Sequence, residues 1–173
     1  MHSRGYSSRD KEMSAKRLTI DYEEFTSAVQ MSAEDQELIA NALEAQKGSY
    51  SPYSHFQVGA ALRLENGIIV KGANQENVAY PSGLCAERTA MFAASANYPG
   101  VVMDTLAIVG SDKGKMCESP ASPCGACRQV MAEYQKKQGR PLKIILIGSK
   151  RIRKFPNVDS VLPFIFDSLK IGE

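Results

Sequence analysis

Five side chains stand out for their type and spacing. Cys85-Ala86-Glu87-Arg88 sets a thiol, a carboxylate and a guanidinium within four positions, and Pro123-Cys124-Gly125-Ala126-Cys127-Arg128 adds a Cys-x-x-Cys pair. Alone, that pair also fits a redox couple or two unrelated core thiols. Following a proline and opening a helix, its members share one face of the first turn. The helix N-terminus there favours thiolate, the form that binds metal. With Cys85 opening a second, converging helix, three thiolates can meet one zinc ion at about 2.3 Å.

Three protein ligands with one open position is the catalytic arrangement, and four closed ligands the structural one. The fourth cysteine, Cys117, sits in a loop between Gly114 and Pro120 with no partner at ligand spacing. An ordinary buried thiol is its expected state; a zinc knot closed by all four cysteines is the alternative. Glu87 taken alone is a dipole-favoured surface glutamate. Beside a zinc-activated water it becomes a proton acceptor and donor. Arg88 would offset the excess negative charge of three thiolates on a divalent ion.

These groups meet only if the fold brings two helix starts together. Ser32, followed by Glu34 and Asp35, predicts a helix N-terminus, and Leu38, Ile39, Ala42, Leu43 and Gln46 recur at helical spacing up to Lys47-Gly48. A turn-rich aromatic loop leads into strands over 57–64 and 68–73, joined by Glu65-Asn66-Gly67, a strong hairpin signal. Residues 74–84 form a loop. A helix runs from Cys85 to about 97, and another from Cys124 to about Gln138, closed by Gly139. Residues 105–110 and 142–147 have the apolar character of buried strands, 150–154 of an exposed basic loop, and 159–169 of a C-terminal helix. Residues 18–31 are expected to lie extended over the core. The order predicts an α/β fold, a three-layer α/β/α sandwich with a mixed sheet of about five strands.

The 173 residues suit one domain, expected over 18–173 after a disordered tail at 1–17 rich in charge and serine. A net charge of +2 gives no pull toward nucleic acid or membrane. No apolar run nears the roughly 18 residues of a membrane span, and the first residues lack a signal-peptide core. Sparse cysteines and a metal role point to the reduced cytoplasm.

Several separated motifs, in order, resemble cytidine deaminase. They are Ser51-Pro52-Tyr53-Ser54-His55-Phe56-Gln57-Val58-Gly59-Ala60-Ala61, Asn74-Gln75-Glu76-Asn77, Cys85-Ala86-Glu87-Arg88-Thr89-Ala90 and Pro123 to Gln129. The resemblance is to the small family form with three cysteine ligands and covers residues 33 to 166. It implies a cytidine deaminase-like fold and conversion of cytidine and deoxycytidine to uridine and deoxyuridine with release of ammonia. It puts one zinc per subunit on Cys85, Cys124 and Cys127, with a zinc-held hydroxide attacking C4 and Glu87 shuttling protons. It places Asn74 and Glu76 on the ribose, Phe56 at the substrate ring, the backbone of Ala86 at the base edge, and Gln129 behind the metal cluster. It implies a homotetramer with shared sites, in which Tyr80 lines a neighbour's pocket and Phe166 caps one. Phe164 and Ile165 depart from the small residues usual beside that cap, and Gln75 from the usual aliphatic.

Other readings keep different parts of this. A polynucleotide deaminase would draw support from the basic run 150–154, but needs an open, broadly positive groove. A nucleoside-antibiotic deaminase of the blasticidin type keeps the chemistry. A non-catalytic zinc-stabilised binding module requires four ligands and a dispensable Glu87.

Overall fold

The computed structural model describes residues 15–166. The first part of the expected tail and the last residues of the expected C-terminal helix lie outside them. Among the described residues seven strands form one sheet: β1 (Glu23–Phe25), β2 (Phe56–Leu64), β3 (Ile69–Ala73), β4 (Met103–Asp112), β5 (Lys115–Met116), β6 (Lys143–Ile147) and β7 (Ile152–Phe155). Their spatial order is β1-β7-β6-β4-β2-β3, with β5 alongside β4. Only β4 and β6 run parallel. That pairing needs a crossover, and a helix supplies it. The helices are α1 (Ala33–Gln46), α2 (Ala86–Asn97) and α3 (Gly125–Gln138).

The strands' two-residue period sorts the core into two layers. Ala60, Leu62, Leu106, Ile108, Ile144 and Leu146 face α2 and α3, packing with Ala90, Met91 and Met131. Their alternates Ala61, Ala107, Val109, Ile145 and Ile147 face α1, packing with Leu38, Ile39 and Ala42. The expected three-layer sandwich with a mixed sheet is present. Ser32 caps α1, its side chain accepting from the Asp35 amide, and Gly139 closes α3 at φ 64°.

Three expectations need correction. The sheet is wider than about five strands because β1, β5 and β7 were not foreseen. The run read as an exposed basic loop contains β7: Ile152 and Phe155 are buried, Arg153 pairs with Glu24 at 2.8 Å, and Lys154 pairs with buried Asp35 at 2.6 Å. β1 then pairs along β7, so part of residues 18–31 joins the sheet. The expected C-terminal helix is, among the described residues, one 3-10 turn at Val158–Ser160. Pro163 lacks the N–H a continuing helix would need.

Two close approaches fix where the helix starts sit. A Cβ on Gly72 of β3 would press on the Ala86 carbonyl oxygen and lie 2.5 Å from the Ala90 nitrogen, so α2 rests directly on the strand's backbone. A Cβ on Gly148, just past β6, would lie 2.6 Å from the Glu118 carbonyl and 2.8 Å from the Pro120 nitrogen. The loop leading to Cys124 packs against the chain there, at the end of β6.

Candidate zinc centre and substrate cleft

Cys85 and Cys124 are the N-caps of α2 and α3, both with extended backbone (φ −73°, ψ 153° and φ −68°, ψ 166°). Neither thiol caps its own helix, so both are free to turn toward the space between the two helix starts. Cys127, in the first turn of α3, is fully buried. The Cys85 and Cys124 sulfurs are 3.9 Å apart, those of Cys124 and Cys127 3.5 Å, and all three lie within 4.8 Å of one another. All four cysteines are free of disulfides, and Cys117 stands outside the cluster. Its backbone instead ties Gly110 to Ser149. The closed four-cysteine knot is therefore not formed.

The cluster carries the electrostatics of a cation site. A hydrogen bond from the Cys127 thiol, helped by Arg88, pulls the Cys85 thiol down to about 5. Cys127 is pushed up by that same hydrogen bond to Cys85, then by burial and the Glu87 charge. Arg88 Nη2 lies 3.6 Å from the Cys85 sulfur, and its buried Nε has no protein partner. Two thiolates held tetrahedrally at about 2.3 Å from zinc would be about 3.8 Å apart, and the two measured separations straddle that value. Three soft thiol donors, a compensating guanidinium and this spacing fit zinc.

Glu87 lies in the first turn of α2, only 4% exposed. Burial, followed by the Cys85 charge, pushes its carboxyl above the usual carboxylate range. A surface glutamate would show neither feature. Ala86 beside it is fully buried.

A cleft of about 490 Å³ opens beside the cluster, lined by Tyr53, Asn74, Glu76, Tyr80, Cys85 and Arg88 among others. The Asn74 amide is largely committed within the fold. Its Oδ1 accepts from Ser49 Oγ at 2.6 Å and the Val58 amide at 2.8 Å, and its Nδ2 donates to the Phe56 carbonyl at 2.9 Å. One N–H remains free. Glu76 accepts from the Tyr53 amide at 3.0 Å, the Ser54 amide at 3.3 Å and the Ser54 hydroxyl. One acceptor position remains of about four. The Ser54 hydroxyl bond, then the two backbone N–H groups, hold this carboxyl below its usual range despite some opposing desolvation.

The remaining expected residues fall at the margins. The Phe56 ring is half-buried and packs over Gly110, next to Ala121. Tyr80 is 77% exposed and meets Tyr53 edge-on, ring centres 6.0 Å apart. Phe166 is 66% exposed, and neither it nor Phe56 lines the cleft. Gln129, expected behind the cluster, donates from Nε2 to the Phe166 carbonyl at 2.7 Å. Ser49, Ser54 and Arg128 were not singled out from the sequence, although each makes hydrogen bonds that shape the site. Serines in a loop leading into a strand are common turn residues, and nothing in the spacing of Ser49 and Ser54 marks these two.

The cytidine and deoxycytidylate deaminase zinc-binding region matches residues 32–139. A cytidine deaminase of Halalkalibacterium halodurans is 49% identical over 98 residues, 57% of this chain and 70% of that protein. A crystal structure of cytidine deaminase from Burkholderia pseudomallei superposes with a TM-score of 0.66 at 38% identity, covering 79% of this chain and 100% of the other. A weaker likeness, 32% over 107 residues, links 60% of the chain to 75% of a blasticidin-S deaminase of Bacillus cereus. The match spans both cysteine motifs and the hairpin before them, and the chain belongs to the cytidine and deoxycytidylate deaminase family.

Proposed function

We propose that the protein hydrolyses cytidine and deoxycytidine to uridine and deoxyuridine with release of ammonia. The observation that carries this is the three-thiol cluster, with buried Glu87 two residues from Cys85 in the first turn of α2, next to a cleft lined by Cys85, Asn74 and Glu76. Cys85, Cys124 and Cys127 hold one zinc, which when bound supplies a Lewis acid able to bring a water's pKa near neutrality. Arg88 limits the negative charge of the thiolates.

Glu87 moves the protons. Its raised pKa suits a group that must accept a proton and give it back near neutral pH. It takes the proton lost by the attacking water and places it on N3 of the pyrimidine, which makes C4 electrophilic. The C–O bond forms at C4; Glu87 then takes the proton of the new C4 hydroxyl and passes it to the amino nitrogen, so that the C–N bond breaks, ammonia leaves and the C4 carbonyl remains. The backbone at Ala86 reads the base edge; Phe56 is placed at the ring by the family resemblance alone, since its own side chain packs over Gly110 outside the cleft lining. On the sugar side, the spare Asn74 N–H and the spare Glu76 acceptor position offer one donor and one acceptor to the ribose hydroxyls.

We infer a homotetramer in which Tyr80 and Phe166 reach a neighbour's site. Support comes from their exposure, 77% and 66%, on a chain whose own cleft Phe166 does not line. Light scattering checks the assembly. Four free cysteines agree with a reducing cytoplasm, and no described helix is long and apolar enough to cross a membrane. The basic run gives little to a polynucleotide, since Lys150, Arg153 and Lys154 are each ion-paired within the chain.

The test is loss of the cytosine absorbance band on incubating zinc-loaded protein with cytidine, run beside a cytosine-containing oligonucleotide. Turnover of the nucleoside alone is expected. A fully zinc-loaded protein inert toward cytidine overturns the reading. Blasticidin S is the second substrate to assay, because of the Bacillus cereus relative; preference for it would move the specificity while leaving the chemistry.

A further inference from the structure

Arg128 directly follows the third cysteine. Its backbone N–H closes the first turn of α3 on the Cys124 carbonyl at 3.0 Å. Its guanidinium spans two other carbonyls. Nε donates to Pro123, the residue before Cys124, at 2.8 Å, and Nη1 donates to Val161 at 2.9 Å. Gln129, next along, holds the Phe166 carbonyl at 2.7 Å. Two consecutive side chains therefore pin both ends of residues 161–166 to the helix that carries Cys127. Between the pins Leu162 and Ile165 pack on the core, while Phe164 and Phe166 stay 85% and 66% exposed.

We propose that Arg128 is a positioning residue that couples the cysteine loop to the C-terminal segment, so that zinc on Cys124 and order in residues 161–166 support each other. The proposal rests on the zinc reading of the cluster. The chemistry suits a guanidinium and no other side chain. Its planar fork is permanently charged and holds two carbonyls at a fixed separation, whereas a lysine ammonium is a single point on a flexible stem. Pro123 has no N–H of its own, so its carbonyl is the backbone handle beside Cys124. Coupling through one rigid group is reciprocal: the factor by which zinc steadies the segment is the factor by which the segment steadies zinc.

The experiment uses the full chain loaded with zinc, its metal content measured first, as wild type and as Arg128→Lys. Two rates are followed: transfer of zinc to a chelator, and hydrogen exchange in the peptide covering residues 158–166, with the β6 peptide as reference. Loss of the bridging geometry is expected to speed both by on the order of tenfold, the equivalent of one charge-assisted hydrogen bond, with β6 unchanged. Stripping zinc from wild type is expected to speed exchange at 158–166 in the same way. Zinc release that quickens while the segment stays protected overturns the proposal. So does a loosened segment with unchanged zinc release, or a β6 peptide that loosens equally. If Arg128→Lys does not fold, the stripped wild type decides alone. A wild type that holds no zinc overturns the metal reading and this proposal with it; a zinc-loaded wild type whose two rates move independently overturns the proposal only.

Discussion

Asn74→Ala separates the two jobs the fold gives one amide. The side chain makes three internal hydrogen bonds, with Ser49, Val58 and Phe56, and leaves one N–H, the one proposed to meet the sugar. A neutral hydrogen bond contributes about 1 kcal/mol net, so removal should cost about 3 kcal/mol of stability and about 1 kcal/mol of transition-state binding. In a chain of this size that is a fall of about 6–12 °C in Tm, set against about a fivefold loss in kcat/KM for cytidine. Thermal unfolding gives the first quantity, and initial rates measured well below the transition give the second. Repeating the rates with 2′,3′-dideoxycytidine isolates the sugar contact: there the substitution should cost almost nothing beyond its effect on folding. A variant of unchanged Tm that loses about a hundredfold or more in kcat/KM would refute the reasoning. It would mean that the amide serves the substrate and that its internal bonds are dispensable.

Glu87→Gln should lower kcat by about 10²–10⁴ while zinc content stays at the wild-type level; loss of the metal would instead make Glu87 a structural support of the cluster. Cys117→Ala should keep both zinc and turnover, because that thiol stands outside the cluster, and metal analysis beside the cytidine assay checks it. Ser54→Ala should alter the acid limb of sugar recognition. The Glu76 carboxyl is held below its usual range in the fold, first by Ser54. Its ionised form is thus the favoured one, present above that range and lost only as pH falls through the lowered value. The ratio of kcat/KM for cytidine over 2′,3′-dideoxycytidine should therefore persist through the usual carboxylate range in wild type. In Ser54→Ala its decline should begin at higher pH. Two superimposable profiles would show that Ser54 does not set the Glu76 charge.

How much of this was legible depended on whether a feature is local. The N-cap at Ser32, the Asn66-Gly67 turn and the glycine stop at Gly139 are determined by neighbouring residues, and each appears where the sequence put it. The start of α2 at Cys85 and of α3 at Cys124 was legible for the same reason. The strand β7 was not. Lys150 to Lys154 reads as a solvated charge run because the partners of Arg153 and Lys154, Glu24 and Asp35, lie more than a hundred residues away in the chain. The C-terminal helix was misread because apolar residues at 162, 164, 165 and 166 imitate a helical face, while Pro163 interrupts it and the local anchors come from α3. Asn74 shows the same limit at the site: its residue type suggests sugar recognition, yet most of its hydrogen-bonding capacity closes the fold.

The centre is assembled by the sheet more than by either motif. Nothing in Cys-Ala-Glu-Arg specifies where Cys124 will be; that depends on how closely α2 and the preceding loop of α3 approach their strands. Gly72 sets the first approach, since any Cβ there would collide with the α2 backbone at Ala86 and Ala90. Gly148 sets the second, against Glu118 and Pro120. Both contacts are backbone on backbone, which leaves no flexible side chain to absorb an error. Thiols that must close on one ion need positions good to a few tenths of an ångström, and two rigid approaches to one sheet supply that precision. The proposed sugar contacts tolerate more, and they sit on the loop at 74–84, braced by the loop at 49–55. The division separates chemistry from recognition: the sheet holds the cluster still while the loops around the cleft are free to change.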